Sequence, residues 1–147
     1  MNIRFAKKKD INSIIKLCEL HAAHEKSNFD SADKTTSLSK YLFTKKPILY
    51  CLVVEENQEI IGYATFMKQF STWDASFYLY LDCLFFLETA RGKGLGTLIM
   101  LEIKDFAKKE YCTHIQWQTP NFNTKAIQFY KKLGATYKTK ERFFWKI

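Results

Sequence analysis

Gly92, Gly94 and Gly96 stand at alternate positions with Arg91 and Lys93 beside them, a combination of bare backbone and positive charge suited to holding an anion. They follow the apolar run Tyr78 to Phe86 and precede a stretch with helical spacing, so a strand passes through a glycine turn into a helix. The first N–H groups of a helix have no internal partner. With the helix dipole behind them, they suit a phosphate. The spacing excludes the Gly-x-x-x-x-Gly-Lys-Ser/Thr loop of nucleotide triphosphate binders, and Gly92-x-Gly94-x-x-Thr97 lacks the last glycine of the dinucleotide fingerprint. What remains is Arg91-x-x-Gly94-Leu95-Gly96-Thr97.

Carboxylates and a tyrosine complete the chemistry-bearing set. Asp82 interrupts the apolar strand, where an ionised carboxylate costs several kcal/mol unless it is paired or wetted. It should therefore meet a cavity, a cation or a backbone irregularity, or bond to neighbouring backbone. His21, His24 and Glu25 close the first helical stretch. The two histidines are three apart, but H-E-x-x-H is absent and no third ligand is placed, so no metal is assigned. His24 and Glu25 are read instead as facing a substrate. Asn123 to Ala135 forms a short helix closed by Gly134, with Ala126, Phe129, Tyr130 and Leu133 on one face.

Arg91-x-x-Gly94-x-Gly96 between a strand and a helix resembles the hallmark of the GNAT superfamily of acyl-CoA-dependent N-acyltransferases. Asn123-x-x-Ala126-x-x-Phe129-Tyr130 ending in Gly134-Ala135 resembles a second motif of the same family, in the expected order. The resemblance implies acetyl-CoA as co-substrate, with its pantetheine arm between two splayed central strands. Leu84, Phe85 and Phe86 would offer backbone groups to that arm, Arg91 to Thr97 would hold the pyrophosphate, and Asn123 and Ala126 would lie along it. Tyr130 would be the general acid.

The elements that must position these groups are visible in order. Ile3 and Phe5 suggest a first strand, and Ile11, Ile14, Ile15, Cys18 and Ala22 share one face of a helix from Asp10 to Glu25. Asp30 to Phe43 is a weaker helix. Ile48 to Val54 and Ile60 to Met67 read as a hairpin, and Lys68 to Asp74 as a loop in which Phe70 and Trp73 either wall a binding site or cover a core. The strand Tyr78 to Phe86 is too apolar for one wet face and should be central. A helix through Leu95, Leu98, Ile99, Ile103 and Phe106, a strand from His114 to Thr119, the Tyr130 helix and two short strands between Ala135 and Ile147 complete the chain. The expectation is an α/β (α+β) fold. Its mixed, mostly antiparallel sheet would have about six to seven strands, splayed at the centre and flanked by about four helices.

Composition narrows the class. With 47% apolar and 16% aromatic residues, the 147 residues suit one domain, 1–147, with a real core. No apolar run approaches the ~20 residues of a membrane span and the N-terminus lacks a signal-peptide core, so a cytoplasmic protein is expected. Cys18, Cys51, Cys83 and Cys112 form no C-x-x-C pair and read as reduced core thiols. The net charge of +8 comes from lysine clusters spread along the chain, more like a solvated surface than a nucleic-acid stripe.

Within the superfamily the sequence is similar to diamine (spermidine/spermine) acetyltransferases, through Glu19-Leu20 leading to His24-Glu25, Leu79-Tyr80-Leu81-Asp82, and Phe129-Tyr130-Lys131. That likeness implies direct attack by the primary amine of a diamine or polyamine in a ternary complex; the alternative acceptors are an aminoglycoside, an amino acid or a protein N-terminus. It also implies a homodimer. An alkyl amine with a pKa of about 10.4 needs a base at pH 7, for which Asp82, through a water, is the first choice and Glu25 the second. A main-chain N–H near Leu84 is the oxyanion donor, Tyr130 protonates the thiolate, and His24, Glu25, Asp82 and Glu141 are the substrate-binding candidates. Outside the enzyme class stand a basic nucleic-acid-binding module and a CoA-sensing module.

Overall fold

The computed structural model describes residues 1–147, which build a five-stranded sheet in the order β1 to β5. The strands are β1 Asn2–Phe5, β2 Tyr50–Glu56, β3 Glu59–Ser71, β4 Ser76–Phe86 and β5 Ile115–Gln116; the helices are α1 Ile11–His24, α2 Lys34–Leu42, α3 Leu95–Lys109 and α4 Thr124–Lys132. Every strand pair is antiparallel except β4 with β5. No helix is long and apolar enough to cross a membrane.

Alternate side chains of a strand point to opposite faces, so each apolar strand feeds two cores. Leu52 and Val54 of β2 and Ala64 and Phe66 of β3 join Leu95, Ile99, Met100, Ile103 and Ala107 of α3. Cys51 and Val53 of β2 and Tyr63 of β3 join Ile11, Ile14 and Leu17 of α1 and Leu42 of α2. Helices cover both faces, which is why these strands read as near-continuous apolar runs. Phe106 fixes α3 on the sheet, its ring centroid 4.7 Å from Tyr50 and 5.2 Å from Phe66.

A buried ion pair pins the start of α1. The Asp10 carboxylate, 4% exposed as a residue, accepts from the Arg4 guanidinium at 2.7 and 3.1 Å and from the Lys7 N–H at 2.7 Å. Arg4 Nε also donates to Glu55 at 2.8 Å, so one side chain ties β1 to α1 and β2.

Three expectations are corrected. Lys68 to Ser71 belong to β3, because Lys68 to Ser71 pair in register with Ser76 to Leu79; Phe70 packs on Phe77, centroids 5.1 Å apart, and Trp73 in the turn is 98% exposed, walling nothing. The strand expected from His114 to Thr119 pairs only at Ile115 and Gln116. The sheet has five strands, not six to seven, because residues 135–147 form none. A strand needs a partner edge as well as apolar residues, and β5 offers an edge of two residues.

Candidate active site

The glycine turn becomes a cradle of donors. Gly92 and Gly94 have φ of 76° and 77°, a left-handed conformation that favours glycine, and Gly94 caps α3. The consecutive N–H groups from Gly92 to Gly96 donate to no acceptor in the protein, whereas those of Thr97 and Leu98 turn back to the Gly94 carbonyl at 3.1 and 3.2 Å. Free N–H groups at a helix N-terminus fit a phosphate-bearing group such as the pyrophosphate of acetyl-CoA. Arg91 folds against the end of β4, with Nε donating to the Phe86 carbonyl at 3.1 Å and the guanidinium 5.3 Å from the centre of the Phe85 ring. Lys93 does not line the cleft; its ammonium lies 4.0 Å from Glu56. Gly96 serves packing, since a Cβ there would come within 2.9 Å of the Phe129 ring on α4.

Beside the cradle the sheet parts. β4 meets β5 only at Leu79 and Tyr80, so from Asp82 to Phe86 it has no strand on that side. The opposite ladder is irregular at the same place. Thr65 faces Cys83 and Phe66 faces Leu81, leaving Asp82 as the unpaired residue of a β-bulge. Asp82 is thus exposed at the cleft, which removes the burial penalty its apolar surroundings suggested. The Cys83 thiol donates to Asp82 at 3.7 Å and is pushed up to about 12 by burial and then by the Asp82 charge.

The cleft between these walls measures about 910 Å³. It brings together Leu84, Phe85, Phe86, Arg91, Gly92, Gly94, Leu95, Gly96 and Thr97 with Asn123, Ala126 and Tyr130, and with His24, Glu25 and Asp82. Asn123 caps α4, its side-chain oxygen accepting the Ala126 N–H at 3.3 Å. Tyr130 stands between Phe129 and Trp117, whose centroids are 5.2 and 5.1 Å away; burial, and then the Glu25 charge, push its hydroxyl up to about 12. Glu141 lies in the exposed segment after α4 and does not line the cleft, because that segment finds no place in the sheet.

The cleft also holds residues to which the sequence gave no part in binding or chemistry, among them His21, Gln118, Thr119 and Lys125. His21 was visible only as a possible metal ligand. Its spacing of four from Glu25, which puts both on one side of α1, was the available signal: Nε2 lies 3.3 Å from the Glu25 carboxylate.

A donor cradle at a helix start, next to a strand edge left open by a splay, defines the class of acyl-CoA-dependent acyltransferases. The chain belongs to the acetyltransferase (GNAT) family, which it matches over residues 11–135. It is 27% identical over 141 residues to a thialysine N-epsilon-acetyltransferase of Mus musculus, covering 90% of this chain and 82% of that one. It is 25% identical over 141 residues to a human spermidine/spermine N(1)-acetyltransferase-like protein 1, covering 90% of this chain and 20% of that protein. A possible acetyltransferase from Clostridium difficile 630 superposes with a TM-score of 0.84 at 18% identity, covering 99% of this chain and 97% of the other, and shows the same fold. The activity of the GNAT family is acetyl transfer from acetyl-CoA.

Proposed function

We propose that the acceptor is the side-chain amine of a small amino acid, acetylated by direct attack in a ternary complex. The observation that carries this reading is the meeting of the donor cradle of α3, the carboxylates of Glu25 and Asp82 and the Tyr130 hydroxyl in one cleft. Glu25, Asp82 and the edge of His24 attract and hold the cationic amine, and Lys125 in the same cleft offers a positive partner to an amino acid's carboxylate. The likeness to an enzyme named for thialysine, an amino acid with an amine at its far end, supports the same class. A diamine is the second reading, favoured by the pair of carboxylates.

The chemistry assigned to the cleft has three parts. Freeing an alkyl amine of its proton at pH 7 costs about 4 to 5 kcal/mol, so a carboxylate, Asp82 or Glu25, takes it. A main-chain N–H near Leu84 on the open edge of β4 stabilises the oxyanion, and Tyr130 returns a proton to the departing thiolate. The phosphates rest on Arg91 to Thr97, and the pantetheine arm runs along Leu84, Phe85 and Phe86 past Asn123 and Ala126.

The working assembly is proposed to be a homodimer, a reading supported by Phe143, Phe144 and Trp145, which are 90%, 80% and 97% exposed on the segment after α4. Sedimentation equilibrium gives the mass directly, and a monomer at micromolar concentration would remove the dimer. For the acceptor, thiol release with acetyl-CoA across thialysine, lysine, ornithine, putrescine, spermidine and a simple monoamine is the test. Amino acids should give the highest kcat/KM. A diamine ahead of every amino acid would reverse the order of the two readings.

A further inference from the structure

Both ring nitrogens of His21 are engaged. Nδ1 lies 3.1 Å from the Tyr63 hydroxyl of β3, and Nε2 lies 3.3 Å from Oε1 of Glu25, one turn along α1. The imidazole is stacked on Phe85 of β4, with centroids 5.1 Å apart and planes 23° apart. Its side chain is 14% exposed, so three elements fix it between the core and the cleft. The two hydrogen bonds select a tautomer. If the Tyr63 O–H donates to Nδ1, Nε2–H donates to the ionised Glu25; the other neutral tautomer would set a lone pair against the carboxylate.

We infer that His21 is a positioning residue which, braced by Tyr63, holds Glu25 as the group that takes the acceptor's proton, leaving Asp82 to hold the cationic substrate by its charge. This rests on the reading of the cleft as an amine acetylation site, and it chooses between the two carboxylates that reading leaves open. Glu25 and Tyr130 line the same cleft, and Glu25 is the carboxylate whose charge is felt at the Tyr130 hydroxyl. Asp82, exposed on its bulge, has a single hydrogen bond, from the Cys83 thiol.

The protons balance along this route. Glu25 removes one proton from the ammonium, and the freed nitrogen pair forms a bond to the acetyl carbon. The C–S bond breaks with its electron pair going to sulfur, which takes the Tyr130 proton. The nitrogen's second proton returns to the Tyr130 phenolate, and Glu25 gives its proton to water once the amide has left.

Charged and titratable groups from three elements act on the imidazole: His24 of α1 and Glu25 just after it, Tyr63 from β3 and Asp82 from β4. Burial is the largest influence and lowers its pKa below the ordinary 6.5, while Glu25 and Asp82 pull it up and His24 pushes it down. The ring is therefore neutral at pH 7. A second proton on the acid side makes an imidazolium that pairs with Glu25 charge to charge and weakens its hold on the acceptor's proton.

The test compares His21→Leu, His21→Gln and Glu25→Gln in the full chain. Leucine removes both hydrogen bonds, whereas glutamine can accept from Tyr63 and donate to Glu25 without titrating. His21→Leu should lower kcat about 10- to 100-fold with the acetyl-CoA KM unchanged. His21→Gln should recover most of that loss at pH 8 and remove the part of the acid-side loss of activity that comes from protonating the imidazole. A His21→Leu kcat within twofold of wild type, or an acid-side profile in His21→Gln identical to that of wild type, would overturn the inference. NMR titration of His21 reads the clamp without turnover: Glu25→Gln should lower its pKa further, and an unchanged pKa overturns the clamp. Wild-type protein that releases no thiol with any amine would sink the acetylation reading instead, while the NMR result still decides the clamp.

Discussion

His21 and Arg91 share one aromatic ring: the imidazole is stacked on Phe85 at 5.1 Å between centroids, and the guanidinium lies 5.3 Å from the same centroid. Phe85 is only 7% exposed, so a buried side chain joins the wall that carries Glu25 to the turn that carries the donor cradle. Arginine over an aromatic face gains about 0.5 to 2 kcal/mol, increasing as water is excluded.

Replacing that ring should therefore disturb both halves of the site. Phe85→Leu is expected to raise the KM for acetyl-CoA and for the amine together, whereas Arg91→Ala should raise only the first. Steady-state kinetics with each substrate varied in turn separates the two. A Phe85→Leu enzyme with both constants unchanged would deny the coupling.

The glycines of the turn should fail in different ways. A Cβ at Gly94 would meet nothing within 4 Å, so Gly94→Ala strains only the positive φ, by about 1 to 2 kcal/mol, and crowds the donor cradle. CoA affinity by calorimetry should weaken while the fold persists. Gly96→Ala instead displaces Phe129 and should lower the thermal midpoint as well. Equal effects of the two substitutions on both measurements would contradict this division.

The sequence made some of these features legible and hid others for physical reasons. Strand, glycine turn and helix from Tyr78 onwards are local patterns, and α3 and β4 lie where those patterns put them. The bulge at Asp82 is a matter of register between β3 and β4, which no single strand encodes. Gly96 looked like part of a ligand turn because its contact, Phe129, is distant in sequence. The segment from Ala135 to Ile147 has strand composition, yet composition cannot supply a partner edge. His21 was seen only beside His24, although its contacts run to Glu25 just after α1 and to Tyr63 in β3.

The Arg4–Asp10 pair should give the fold a definite pH dependence. Arg4 holds the Asp10 carboxyl below its ordinary 3.8. A lowered folded-state pKa contributes stability that is fully present above the unfolded value and is lost as pH falls through the folded one. Asp10→Asn should cost about 1 to 3 kcal/mol in urea unfolding at pH 7. The gap from wild type should shrink below about pH 4, where the unfolded-state aspartate begins to bind protons. A gap that stays constant to pH 2 would mean that the ionised form of Asp10 is not what stabilises the helix start.

Tyr130→Phe keeps the ring against Trp117 and Phe129 and removes one proton donor. Its kcat should fall about 100-fold with CoA affinity intact. With the hydroxyl pushed up to about 12, wild-type activity should show no loss from tyrosine ionisation below pH 10. Turnover within twofold of wild type would assign the acid to another group or to water.

The central claim is direct acetyl transfer from acetyl-CoA to an amine bound in the same cleft, and initial rates of thiol release over a grid of acetyl-CoA and amine concentrations test it most directly. The account predicts negligible release without amine and double-reciprocal lines that intersect, as a ternary complex requires. Parallel lines would indicate an acetylated enzyme intermediate, and release independent of amine would indicate thioester hydrolysis; either result would contradict the account.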